Sequence, residues 1–203
     1  MSGIQEALLS RRTVYRFKED VVDYSILDLA FKAAAHAPNH KNTNPWRYYV
    51  LGEGARTSLL PEVERLSRSK MSGQSVHEVE SGLKRAVSKI MSPPVLIAVS
   101  SALTPSDSFR EMEDYAATAC SIQNFCLSLW GNGIGTQWST GAITRADSTY
   151  EALGIPKDRE KIVGFLKAGY PEILPEKEKP DVCLLYTSPS PRDKTPSRMP
   201  SSA

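Results

Sequence analysis

The sequence predicts an α+β domain, and three observations carry that prediction. Segments with apolar residues at helical spacing alternate irregularly with a few short strand-like stretches, so no regular βαβ array is set up. The 203-residue chain is long enough to bury a single core without disulfides or a structural metal. Its 40% hydrophobic and 24% charged residues are those of an ordinary folded domain.

The elements follow in order. Ser2 and Gln5 form a capping-box pattern ahead of Ile4, Ala7 and Leu8 at helical spacing, a short helix that delivers Arg11 and Arg12 at its carboxyl end. A second helix is predicted from near Ser25, with Ile26, Leu29, Ala30, Ala33 and Ala34 on one face, ending before Pro38. "WRYYVL" alternates as a strand, with Trp46, Tyr48 and Val50 on one side and Arg47 and Tyr49 on the other. Thr57 to Met91 reads as helices broken around "SKMSGQS". Val95 to Val99 is a continuous apolar run after two prolines, which suits a strand buried on both faces.

The longest helix is predicted between Asp107 and Gly131, closed by glycines able to take the left-handed cap conformation. Beyond Tyr115 it is apolar on nearly every face, which implies burial by the core on one side and by a second subunit on the other, with Ile122 and Phe125 expected at that contact. "GTQWST" reads as a strand, Asp147 as the cap of the helix "STYEALGI", and "KIVGFLKAGYP" as the last internal strand. Residues 1–175 are expected to form a single domain. Residues 176–203 are charged, then rich in Ser and Pro, and are expected to be disordered. From about residue 183 this tail resembles translated adapter sequence, so native sequence is expected to end near Val182.

Composition excludes several function classes. A net charge of +2 with no basic cluster argues against nucleic acid as a partner. The three cysteines, Cys120, Cys126 and Cys183, are odd in number and lack C-x-x-C spacing, which fits reduced thiols rather than a disulfide framework or zinc site. No secretory leader pattern opens the chain, and no run approaches the roughly 18 apolar residues of a membrane span. A cytoplasmic protein with no membrane partner is expected.

Three stretches carry candidate chemistry. In "RRTVYRF", Arg11, Arg12 and Thr13 have the guanidiniums and hydroxyl that bind a phosphate monoester, although an arginine pair at a helix end also complements the helix dipole. "APNHKNTNPW" and "GTQWSTGAIT" offer the donors, acceptors and aromatic surface that an isoalloxazine ring requires: His40, Lys41, Asn42 and Asn44 in the first, Trp138, Ser139 and Thr140 in the second. Taken singly, each also fits an ordinary loop, core or strand role. "GNGIGT" follows a helix instead of opening one, so it reads as a cap and turn rather than a dinucleotide fingerprint. No Walker, zinc-protease or nucleophile-elbow pattern occurs.

In their order "SRRTVYRF", "APNHKNTNPWRYYVL", "GIGTQWSTGAIT" and "IVGFLKAGYPE", these motifs resemble the nitroreductase-like family of FMN enzymes, from Ile4 to about Pro175, and are most similar to its smaller branch with a histidine in the loop. The resemblance implies an α+β fold with a central mixed sheet flanked by helices, and an obligate homodimer with FMN at the subunit interface. It assigns the FMN phosphate to Arg11, Arg12 and Thr13, a contribution from the partner subunit to His40 and His36, and a further part of the flavin site to Trp138, Ser139 and Thr140. Thr13 stands where the family usually has serine, and Asn44 where it usually has glutamine or glutamate.

The activity so implied is a ping-pong oxidoreductase in which NAD(P)H, as co-substrate, delivers hydride to flavin N5 and a nitroaromatic, quinone or similar small-molecule acceptor then takes its place. No catalytic side chain and no metal are assigned. Arg65 to Lys89 is expected to shape substrate access, without a recognisable clamp. The alternative is a non-catalytic flavin-binding or redox-sensing protein.

Overall fold

The computed structural model describes residues 3–176; the expectations for Ser2 and for the tail from residue 177 onward lie outside the described residues. The chain begins with helix α1 (Gly3–Ser10) and helix α2 (Tyr24–Ala35). Asp23 caps α2: its carboxylate accepts from both the backbone N–H and the hydroxyl of Ser25 at 2.8 Å. Strand β1 (Trp46–Val50), helices α3 (Glu53–Ser69) and α4 (Val76–Met91), and strand β2 (Val95–Ala102) follow. Helix α4 starts from a complete capping box between Ser75 and Glu78.

Helix α5 (Ser108–Gly131) opens on Asp107 and closes where Gly133, at φ 76°, turns the chain back so that Ile134 N–H reaches Leu129 O. Strand β3 (Gly135–Ser139), helix α6 (Asp147–Leu153) and strand β4 (Glu160–Gly169) follow, and short 3-10 turns lie at His40–Asn42 and Ala142–Arg145. Asp147 lies inside the first turn of α6 rather than at its cap, and its carboxylate pairs with Lys157. Acidic charge in a first turn still opposes the helix dipole favourably.

The sheet order is β1-β2-β4-β3 and, among the described residues, every strand pairing is antiparallel, which corrects the expected mixed sheet, the parallel contact there being a bridge between Thr13 and Thr136. Two apolar layers flank the sheet. On one face Ile97, Val99 and Leu166 pack against Ala30 and Ala34 of α2 and Ile122, Phe125 and Leu129 of α5. On the other, Leu96, Ala98 and Phe165 meet Leu59 and Val63 of α3, Ile90 of α4 and Tyr150 of α6. Tyr48 joins the first layer and Tyr49 the second, as strand alternation requires.

Between Val99 and Ser100 the β2–β4 register skips a residue, because Gly164 and Ile162 are their partners and Val163 is the extra one. Gly164 fits this bulge because a Cβ there would overlap the Trp138 indole and come within 3.0 Å of Ser139 O.

Ile122 and Phe125 are 1% and 0% exposed in the chain's own core, so the expected subunit contact through them is corrected. The apolar residues that α5 leaves in solvent are Phe109, Met112 and Tyr115, toward its amino end. An apolar run along a helix cannot by itself say which of its faces the same chain will cover.

Candidate functional site

The segment after α1 and strand β3 are brought together first. Thr13 bridges Thr136, and Val14 N–H donates to Thr136 O at 2.9 Å. This approach is possible because residue 135 is glycine: a Cβ there would lie 2.8 Å from Val14 Cβ, and Val14 is fully buried. Arg11 lies close enough to Cys126 for its charge to oppose the rise in the thiol pKa that burial causes. Its guanidinium makes no hydrogen bond or ion pair among the described residues. Arg12 turns one terminal nitrogen onto the carbonyls of Leu9, Ser10 and Arg11 at 3.0, 3.0 and 3.1 Å, closing the end of α1. Its remaining nitrogens have no partner among the described residues.

Trp138, Ser139 and Thr140 continue from the same strand. Trp138 Nε1 points to Val163 O at 3.4 Å, Ser139 Oγ donates to Phe165 O at 3.2 Å, and Trp138 and Thr140 are exposed. Two cavities line this edge of the sheet. The first, of about 290 Å3, is bounded by Tyr15, Arg16, Phe17, Lys89, Lys167 and the carboxylate of Glu172. The second, of about 340 Å3, runs between α3 and α4 toward Ser139, Gly141 and Phe165, with Lys89 and Lys167 again on its wall.

Lys167 is the residue that motif reading missed. It is 6% exposed, has no hydrogen-bond or carboxylate partner among the described residues, and has its pKa pushed down to about 8 by burial and then by the charge of Lys89. The signal was present in "IVGFLKAG", where a lysine interrupts an otherwise apolar strand. Buried lysine without a partner is uncommon and costly.

The polar loop lies elsewhere. His36 is the exposed carboxyl cap of α2, and His40 is exposed beside the amino end of α5, where with Lys41, Asp107 and Arg110 it lines a cavity of about 240 Å3. Lys41, Asn42 and Asn44 all have positive φ, at 54°, 52° and 45°. The loop holds this strained path through Asn39, whose side-chain oxygen accepts from Asn44 N–H at 3.0 Å, and through Thr43, whose hydroxyl donates to Asp114 at 2.7 Å. It leads into β1, one edge of the sheet, whereas Trp138 belongs to β3 at the other. Three strand spacings, about 14 Å, separate those edges. Within one chain, therefore, His36 and His40 do not join Arg11, Thr13 and Trp138.

A four-stranded sheet covered on both faces, with an edge cleft that holds Arg16, Lys89, Lys167 and Glu172 beside the arginine segment, is an arrangement that the comparisons with known proteins place in a class. The chain belongs to the nitroreductase family, whose model matches residues 8–170. It is 28% identical over 186 residues to "Putative NAD(P)H nitroreductase YfhC" of Bacillus subtilis, covering 88% of this chain and 89% of that protein. Among solved structures, a nitroreductase-like family protein from Bacillus cereus superposes with a TM-score of 0.76 at 28% identity, covering 93% of this chain and 96% of the other. A protein from Desulfovibrio desulfuricans described as a nitroreductase in complex with FMN superposes with a TM-score of 0.74 at 19% identity, covering 94% and 99%. The fold is nitroreductase-like.

Proposed function

We propose that this chain is an FMN-dependent oxidoreductase that uses NAD(P)H to reduce a nitroaromatic, quinone or similar small acceptor in a ping-pong order, working as a homodimer. The observation that carries the reading is the pair Lys89 and Lys167, which have no carboxylate partner among the described residues and line both cavities beside β3, the strand of the exposed Trp138. A buried lysine lacking a counter-charge fits a phosphate-bearing, acceptor-rich cofactor better than it fits an empty structural role. FMN, when bound there, supplies the redox chemistry, accepting hydride from NAD(P)H and passing electrons on.

The side chains bind, orient and exclude. Arg11, the unpaired nitrogens of Arg12 and the Thr13 hydroxyl hold the phosphate. Lys89 and Lys167 supply positive potential for charge that accumulates on reduction. Trp138, Ser139 and Thr140 border the ring, and the hairpin of α3 and α4 walls the site from water. His36 and His40 reach it from a second copy, a reading supported by the entry of the His40 loop into β1, the edge strand away from β3, and by the exposed Phe109, Met112 and Tyr115. No side chain here need act as nucleophile or general base.

The test is an anaerobic absorbance spectrum of protein reconstituted with FMN, followed by one equivalent of NADPH or NADH, with the mass of the species measured by sedimentation. Rapid bleaching of the flavin band in a dimer is expected. A bound flavin that stays oxidised with both donors would overturn the reductase in favour of a flavin-binding protein.

A further inference from the structure

The second cavity carries more charge than a flavin site alone needs. Its floor is apolar, with Val63, Leu66, Ile90, Ile143 and Phe165, and four cations surround it: Lys70, Arg85, Lys89 and Lys167. No aspartate or glutamate lines it. Lys89 and Lys167 also border the first cavity, but Lys70 at the end of α3 and Arg85 on α4 belong to the second alone.

Neither Lys70 nor Arg85 has a carboxylate within salt-bridge distance among the described residues; Arg85 donates to Ser81 Oγ at 2.7 Å. On the same two helices Glu62 pairs with Arg65, and Glu78 closes the capping box with Ser75. The hairpin thus places two exposed, unneutralised cations at the end of an apolar slot that leads to Ser139 and Gly141.

From this arrangement we infer that the second cavity selects electron acceptors with a flat apolar body and a carboxylate, the body lying against the half-buried Leu66 and Ile143 and the carboxylate meeting Arg85 and Lys70. This inference rests on the oxidoreductase reading and names its acceptor class. The physical reason is complementarity: a guanidinium receives a carboxylate through paired N–H donors, and a neutral analogue leaves those donors unmatched. Lys89 and Lys167 stay with the flavin end of the slot.

The experiment compares 4-nitrobenzoate with 4-nitrobenzamide, which match in shape and differ in charge. Calorimetric titration of each into the FMN-reconstituted protein is expected to favour the carboxylate by about tenfold, the scale of one charge-assisted hydrogen bond, and the preference is expected to narrow at high salt. Lys70→Gln with Arg85→Gln is expected to bring the two affinities together, and Lys70→Arg with Arg85→Lys to keep them apart. Equal affinities in the unmodified protein, no measurable binding of either compound, or a preference untouched by the glutamine pair would overturn the assignment.

Reduction by NAD(P)H is read separately on the same preparation, and the titration is repeated on protein as purified. Carboxylate preference with a flavin that resists reduction, or with none bound, upholds the pocket and overturns the oxidoreductase; bleaching without preference does the reverse.

Discussion

Thr43 donates a 2.7 Å hydrogen bond to Asp114, a residue 71 positions away and 4% exposed on α5. Asp114 also lies 3.6 Å from Arg110 Nε, so the polar loop is fastened to a helix end that carries its own counter-charge. This contact lets three residues with positive φ persist in one loop. Thr43→Val is expected to cost about 1–2 kcal/mol, since it leaves a buried carboxylate short of a donor. Denaturant unfolding measures the loss, and amide exchange is expected to quicken at residues 40–44. Unchanged exchange there would mean that the loop is held by Asn39 alone.

For the proposed phosphate role Arg11 is the freer of the two arginines, because Arg12 already closes α1. Arg11→Ala is expected to weaken FMN about tenfold or more while changing riboflavin binding little, because only FMN carries the phosphate that charge-assisted bonds recognise. Fluorescence titration with the two flavins is the check. Equal losses for both would remove Arg11 from the phosphate.

Gly135→Ala tests the seam between the arginine segment and β3. Its new Cβ would press on Val14, which is fully buried and cannot swing aside. A destabilisation of about 1–3 kcal/mol is expected from overpacking, together with weaker FMN binding as Thr13 is displaced. Thermal melts with and without FMN separate the two effects. A variant as stable as the parent would show that this seam is soft.

Lys167 gives a pH dependence with a definite sign. Its folded pKa, about 8, lies below the ordinary 10.5, so between those values the unfolded chain holds more protons and stability rises with pH. The cost is fully present below about pH 8 and gone above 10.5. In flavin-free protein it amounts to about 3 kcal/mol at most. Lys167→Met is therefore expected to be more stable than the parent near neutrality, with the difference shrinking from pH 8 to 10.5, and to bind FMN more weakly. Denaturant midpoints across that range decide the matter. A less stable variant at pH 7 would mean that Lys167 has a counter-charge in the folded protein.

By itself the sequence determined the layered α+β class, the approximate helices and strands, the left-handed turn after α5 and the four motifs that mark the family. Those features are local: caps, turn glycines and apolar periodicity are written within a few residues of where they act. Tertiary structure alone decided which motifs meet. Thr13 reaches Thr136 only because Gly135 lets two backbones close, and the Lys167 cation lies beside Lys89 only because α4 packs on the face of β4 that carries Phe165. The same packing turned Ile122 and Phe125 inward and set His40 at the edge away from Trp138. A one-dimensional pattern fixes which side chains share a face, but which face the chain itself covers depends on contacts between residues far apart in sequence, and periodicity carries no information about those.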